Sequence, residues 1–238
     1  MKNSSQKIFL PGGLLQLNHL KTKVSVQGFD VLIIGSNSEF IAEKLLNDGC
    51  LSVSLIVNDS GSLLNSKIVL QNHPGIKVKM MSFENTDFSN EQFGLVYAQA
   101  SVSIPERNKI IKEIKRILTP GGYFCVGEIT SLKTSPPQFM QDVWEANNIL
   151  PLNHDKGAEY YLQKGFEVQE EIDLSNSLSD FYKLSIELLK NSKKNLTDEE
   201  LSAQKKLLNR LSHESNAYLK LGGKNYMGFK SLILRKPV

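Results

Sequence analysis

At 238 residues the chain is long enough for one substantial domain with a well-buried core, and no repeat or low-complexity segment argues for a second. A hydrophobic fraction of 40% and a charged fraction of 22% exclude a disordered chain, while 28 Lys plus Arg against 25 Asp plus Glu leave a formal charge of +3, too slight to mark a nucleic-acid surface. No apolar run nears the ~20 residues needed to cross a bilayer, no leader pattern opens the chain, and Cys50 and Cys125 form no CxxC pair, so the expectation is a reduced, cytoplasmic protein.

Residues 1–27 begin polar and continue as FLPGGLLQLNHLKTKV, where Pro11, Gly12 and Gly13 make a turn ahead of a short helical spacing through Leu14, Leu17 and Leu20. This reads as a cap on the main sheet. FDVLII at residues 29–34 is almost wholly apolar, as a central parallel strand covered on both faces should be. Gly35 ends it and a helix follows over residues 39–46. LSVSLIV at 51–57 is a second strand, a helix spans 62–71, and IKVKMM at 76–81 is a third strand, closed by a polar loop.

Residues 94–98 form the fourth strand, and Pro105 is expected to start the next helix, where its missing amide donor is harmless. In that helix Ile110, Ile111, Ile114, Ile117 and Leu118 share one face, residues 119–122 stop it, and a fifth strand covers 123–129. A proline-bearing loop, a helix around 139–149 carrying Trp144, a helix at about 155–164 and a strand at 166–172 come next. Residues 178–221 read as a helical excursion broken near 191–195 and restarted at a Thr197 cap; its lysine-rich stretches are solvated helix faces. A strand at 226–234 closes a single α/β domain over residues 1–238, a doubly wound sheet with late additions.

In such a sheet the ligand crevice lies beyond the carboxyl ends of the strands. The first of those ends is GSNSE. Gly35 permits a tight turn and the following helix offers free amides to an anion, although one glycine makes neither GxGxxG nor a P-loop. In the second, Asn58 and Asp59 lie about 20 residues beyond Gly35, the reach at which a carboxylate accepts both ribose hydroxyls; an Asx turn capping the next helix explains Asp59 equally well. The four histidines have no HxxxH or HExxH spacing, and no metal site is expected.

The ordered segments DVLIIGSNS, LIVNDS, FENTDFSNEQFGLVYAQA and IIKEIKRILTPGGYFCVGEI, with GFEVQEE later, resemble the Rossmann-like (class I) S-adenosylmethionine-dependent methyltransferases over residues 29–129. The resemblance implies a mostly parallel seven-stranded sheet with the last strand antiparallel and helices on both faces. It also implies S-adenosylmethionine lying across the first strand ends. By position Gly35, Ser36 and Asn37 would face its methionyl part, Asn58 or Asp59 the ribose, Ser82 and Phe83 the adenine, and Ala98, Gln99 and Ala100 the sulfonium side. The motif is degenerate. Ile33 replaces the usual acid of the first strand, Asn37 and Glu39 replace two glycines, Ser82 stands where an aspartate commonly binds the adenine amino group, and Gly94 replaces another acid. Each buried polar partner left unsatisfied costs about 1 to 3 kcal/mol, which together weaken the cofactor from micromolar toward millimolar or abolish binding.

Methyl transfer relies chiefly on orientation, so a general base is optional. Tyr97, Gln99 and Ser101 could orient an acceptor, Tyr97 equally being a core aromatic. His154 could accept a proton or could be a solvent-facing loop histidine. Trp144 and Tyr160, in the stretch where this family commonly builds its acceptor pocket, suggest a small apolar or aromatic acceptor, Trp144 packing in the core being the alternative. The extended helices of 178–221 could pair two copies in an isologous homodimer. The alternative function is a noncatalytic protein of the same fold, acting in ligand sensing or protein interaction, with the cavity filled by Glu39, Phe40 or the PGGLL segment.

Overall fold

The computed structural model describes residues 8–195 and 198–238. They form one mixed sheet of eight strands: β1 (Asp30–Ile34), β2 (Ser52–Val57), β3 (Ile76–Met80), β4 (Phe93–Gln99), β5 (Leu118–Ser131), β6 (Leu152–Asn153), β7 (Glu167–Asp173) and β8 (Met227–Arg235). Their order is β3-β2-β1-β4-β5-β8-β7, with β6 paired to β5 off the main path. β8 runs antiparallel to both β5 and β7, and the pairs among β1 to β6 are parallel. The seven strands expected are present. The eighth is the two-residue β6, too short to leave a periodic signature.

Helices α1 (Leu15–Lys23), α2 (Glu39–Asn47), α3 (Ser60–Val69), α4 (Arg107–Ile117), α5 (Gln138–Ala146), α6 (Gly157–Gln163), α7 (Leu178–Asn195) and α8 (Asp198–Lys220) connect and cover the strands. Side-chain alternation divides the interior by face. Leu32, Ile34, Val96 and Phe124 join the α4 isoleucines on one side; Val31, Ile33, Leu95, Tyr97 and Cys125 join Leu17 and Leu20 of α1 on the other. A third cluster packs Trp144 and Met140 against Tyr182, Tyr218 and Phe229 beneath α7 and α8.

Several boundaries differ from expectation for local reasons. Pro105 lies one residue before the Glu106 N-cap, because the Arg107 amide bonds to Ile104 (3.0 Å) in a turn and α bonding starts only from the Glu106 carbonyl. The LTPGG segment is not a turn outside the strand. It is absorbed into β5, where Leu118 pairs with Phe93 and then Tyr123 with Leu95, and Gly121 and Gly122 exchange 2.9 Å hydrogen bonds with Lys236 near the chain's end. The helix expected at 155–164 begins as a 3-10 turn over His154–Lys156 before α6. α7 runs unbroken through the 191–195 stretch read as a break, and the proposed Thr197 cap lies outside the described residues. No helix among the described residues is long and apolar enough to cross a membrane.

Candidate functional site

The turn after β1 has the backbone of a glycine turn although only one glycine remains. Gly35 has φ 118° and Asn37 φ 62°, so Asn37 occupies the left-handed region that a glycine there would take at no cost. Asparagine enters that region more readily than other residues with a Cβ. The neighbour that requires Gly35 to lack a Cβ is Ser101: a Cβ would come within 2.6 Å of the Ser101 Cβ, and the Ser101 hydroxyl donates to the Ile34 carbonyl (2.6 Å). Ser101 thus backs the turn from the loop after β4.

Glu39, the charge expected at the mouth, is buried and turned away. Its carboxylate accepts from the Ser66 hydroxyl of α3 at 2.5 Å, which removes it from competition with an anion at the α2 amides. Phe40 is half-buried with the Lys44 ammonium 5.0 Å from its ring centroid. Ile33 is fully buried in the apolar cluster shared with α1, so an acid there would face hydrocarbon.

At the end of β2 the two candidates separate. Asp59 is the N-cap of α3, accepting from the Ser62 amide (2.8 Å) and hydroxyl (2.6 Å), and these bonds hold its carboxyl below the usual carboxylate range. The Ser36 hydroxyl donates to Ser62 (2.8 Å), linking the first turn to that cap. Asn58 instead lines a cavity of about 480 Å³ shared with Ser82 and Phe83. That volume lies within the usual range for small-molecule sites. Asn58, Ser82 and Phe83 are therefore brought together, Gly35, Ser36 and Asn37 form the neighbouring turn, and Asp59 serves the helix.

The end of β4 is occupied by protein. Tyr97 is wholly buried, and its hydroxyl donates to the Gln99 carboxamide oxygen (2.6 Å); burial pushes the phenol well above its ordinary value. The Gln99 amide group donates to the Pro11 (2.6 Å) and Gly13 (2.9 Å) carbonyls, clasping the PGGLL segment over the strand end. Gln16 of α1 donates to the Ala98 carbonyl (3.0 Å). Ala100 has φ 59°, an uncommon conformation for a non-glycine residue, and its amide is tied to the Gly127 carbonyl (2.9 Å).

On the expected acceptor side, Trp144 and Tyr160 are apart. Trp144 is buried in the cluster under α7 and α8 and also borders a cavity of about 640 Å³ with Pro136, Leu150 and Pro151. Tyr160 packs on the α4 side, with its hydroxyl donating to Asn108 (2.9 Å). His154 is not a solvent-facing loop residue. It stands between the Thr130 hydroxyl (2.8 Å from Nδ1) and Asp173 (3.3 Å from Nε2), because the 3-10 turn after β6 pins it across the ends of β5 and β7.

One buried cluster was not foreseen. Glu128, wholly buried on β5, accepts from the Ser103 and Tyr161 hydroxyls and lies 3.1 Å from Arg107 Nε, while Arg107 also donates to the Leu150 carbonyl. Burial pushes the Glu128 carboxyl up, against the pull of Arg107 and the two hydroxyls. The available signal was an acid inside the apolar run YFCVGEI, which requires a buried partner. Among the described residues no group of three or more His, Cys, Asp or Glu is arranged to hold a metal ion.

The family described as "Methyltransferase domain" matches residues 32–126. (+)-O-methylkolavelool synthase from Herpetosiphon aurantiacus is 31% identical over 90 residues, a match spanning 37% of this chain and 32% of that protein. Among solved structures, phosphoethanolamine N-methyltransferase 2 from Haemonchus contortus, with S-adenosyl-L-methionine, superposes with a TM-score of 0.76 at 14% identity over 98% of this chain and 55% of the other. The [4+2]-cyclase SpnF gives 0.74 at 16% identity, covering 94% and 80%. Geranyl diphosphate C-methyltransferase from Streptomyces coelicolor A3(2) gives 0.66 at 10% identity, covering 93% and 76%.

Proposed function

From a chain that has the class I (Rossmann-like) S-adenosylmethionine-dependent methyltransferase fold, we propose a divergent S-adenosylmethionine-dependent methyl transfer to a small apolar or aromatic acceptor. The observation that carries this reading is Asn37 at φ 62°, which keeps the turn after β1 in a glycine-like shape while Glu39 is held on Ser66. Bound there, the cofactor supplies an electrophilic sulfonium methyl. In this reading Gly35, Ser36 and Asn37 would present backbone donors to the methionyl carboxylate, Asn58 would meet the ribose, and Ser82 with Phe83 would border the adenine.

Asp59 acts in this reading through the α3 cap, fixing the loop that carries Asn58. Ala98, Gln99 and Ala100 form the sulfonium-side wall through their backbone, since the Gln99 side chain is held by Tyr97 and the chain's start. In this reading Ser101 and Trp144 would border the acceptor, Tyr160 stands apart from Trp144 on the α4 side, and no residue is needed as general base. Tyr97 contributes by packing, and His154 holds β5 to β7. The same reading takes the chain as one cytoplasmic domain over 1–238, with 1–27 as cap and 178–221 as helical excursion, able to pair with a second copy through α7 and α8.

The alternative is a noncatalytic ligand-sensing or protein-binding role, favoured by the clasp of Pro11 and Gly13 over the end of β4. Calorimetric titration with S-adenosylmethionine and S-adenosylhomocysteine decides between them. Binding of either is expected in the micromolar to millimolar range; absence of heat for both at millimolar ligand removes the methyl-transfer reading.

A further inference from the structure

Residues 147–151, between α5 and β6, form a partition. Asn148 borders the cavity of about 480 Å³ at the ends of β2 and β3, while Leu150 and Pro151 border the one of about 640 Å³ beside Trp144. Burial does little to fix the middle of this segment. The Leu150 side chain is 47% exposed, so the place of that residue depends on its main chain. Its amide donates to the Ser103 carbonyl (2.8 Å), and its carbonyl accepts from Arg107 Nη2. Asn148, at φ 54° with its amide on the Glu145 carbonyl (3.0 Å), turns the chain back toward these two contacts.

A buried guanidinium needs a counter-charge, and wholly buried Glu128 supplies it 3.1 Å from Arg107 Nε. The Ser103 and Tyr161 hydroxyls both donate to that carboxylate, which fixes its position from the loop after β4 and from α6. Arg107 is thereby held by one edge of its fork, and Nη2 is left to reach Leu150. A lysine offers a single point of charge on a flexible stem and could not serve both contacts. Ser101, two residues before Ser103, donates to the Ile34 carbonyl at the Gly35 turn. One short loop therefore braces the turn after β1 and the partition together.

We propose that Arg107 is a positioning residue for the ligand site: with Glu128 as its fixed counter-charge, it tethers residue 150 and so sets the wall between the two cavities. The effect on a ligand rests on the methyl-transfer reading above, whereas the tether stands on the contacts alone. Arg107 itself touches no ligand in this assignment. It acts through the main chain of Leu150.

Hydrogen exchange of individual backbone amides and calorimetric titration with S-adenosylhomocysteine, both on the full chain, test this. In Arg107→Lys the Leu150 amide is expected to exchange about tenfold faster or more, beyond any change shared with the α4 amides, and affinity for S-adenosylhomocysteine to fall about fivefold or more. Tyr161→Phe is the comparison. It removes one hydroxyl from the same buried network and lowers the melting temperature, but should leave the Leu150 amide and the affinity unchanged. Where Arg107→Lys does not fold, Glu128→Gln takes its place, keeping the side chain's volume without the counter-charge, and should speed exchange at Leu150 by about threefold or more. A parent chain that binds no S-adenosylhomocysteine removes the methyl-transfer reading, and exchange at Leu150 then upholds or overturns the tether by itself. Unchanged exchange at Leu150 in the variant used, equal loosening in Tyr161→Phe, or unaltered ligand affinity once that amide is loosened overturns the assignment.

Discussion

Asn37 shows how a motif can change its letters and keep its shape. The left-handed turn at φ 62° needs either no Cβ or a side chain that tolerates the conformation, and asparagine satisfies the second condition. Asn37→Gly is expected to leave stability within about 0.5 kcal/mol of the parent, whereas Asn37→Val should cost about 1 to 2 kcal/mol, measured by urea unfolding. The sequence reading counted Asn37 and Glu39 as lost glycines because residue types were visible and dihedral angles were not. It also left Asp59 open between ribose ligand and helix cap; the deciding fact is the position of Ser62, three residues on, which closes the cap. Gly35 was legible as a turn, but its close neighbour, Ser101, comes from 66 residues away, beyond β2, β3 and β4.

Among the elements, α4 was the most readable, since Ile110, Ile111, Ile114 and Ile117 define a buried face on a helix otherwise studded with lysine and arginine. Its tie to the loop after β3 was not readable. Glu113 accepts from the Thr86 amide (2.9 Å) and hydroxyl (2.5 Å) and from Arg116 (2.6 and 2.8 Å). Burial raises its carboxyl, but the bonds to Arg116 and Thr86 together outweigh this and bring it down to about 2. A folded-state value below the ordinary 4.5 means that the unfolded chain takes up the proton first as pH falls. This contribution is therefore complete above 4.5 and lost as pH falls through about 2. Allowing for solvent screening at the half-exposed Arg116, it is worth about 1 to 2 kcal/mol. Glu113→Gln should accordingly flatten the fall of stability between pH 4.5 and about 2 in denaturant titrations repeated across that range.

For the whole molecule, the parallel order of β1 to β5 followed from strand and helix alternation, and the antiparallel final strand from the resemblance. The periodic signal ended where side-chain networks took over. Glu128 joins β5 to the loop after β4 through Ser103, to α4 through Arg107 and to α6 through Tyr161. Glu128→Ala leaves Arg107 buried without its carboxylate and is expected to cost about 3 to 5 kcal/mol, measured by chemical denaturation, while Glu128→Gln keeps the side chain's volume and one acceptor oxygen and should cost less. Residues 11–19 are held in the same long-range manner: Gln99 donates to the Pro11 carbonyl 88 residues away in sequence, Gln16 fills the notch at Gly127 against Phe229, and His19 meets Ser231 across 212 residues. The berth for α1 is thus incomplete until β8, the last strand, has been laid beside β5. The centre of the sheet is closed by a contact between His19 and Ser231, 212 residues apart in sequence.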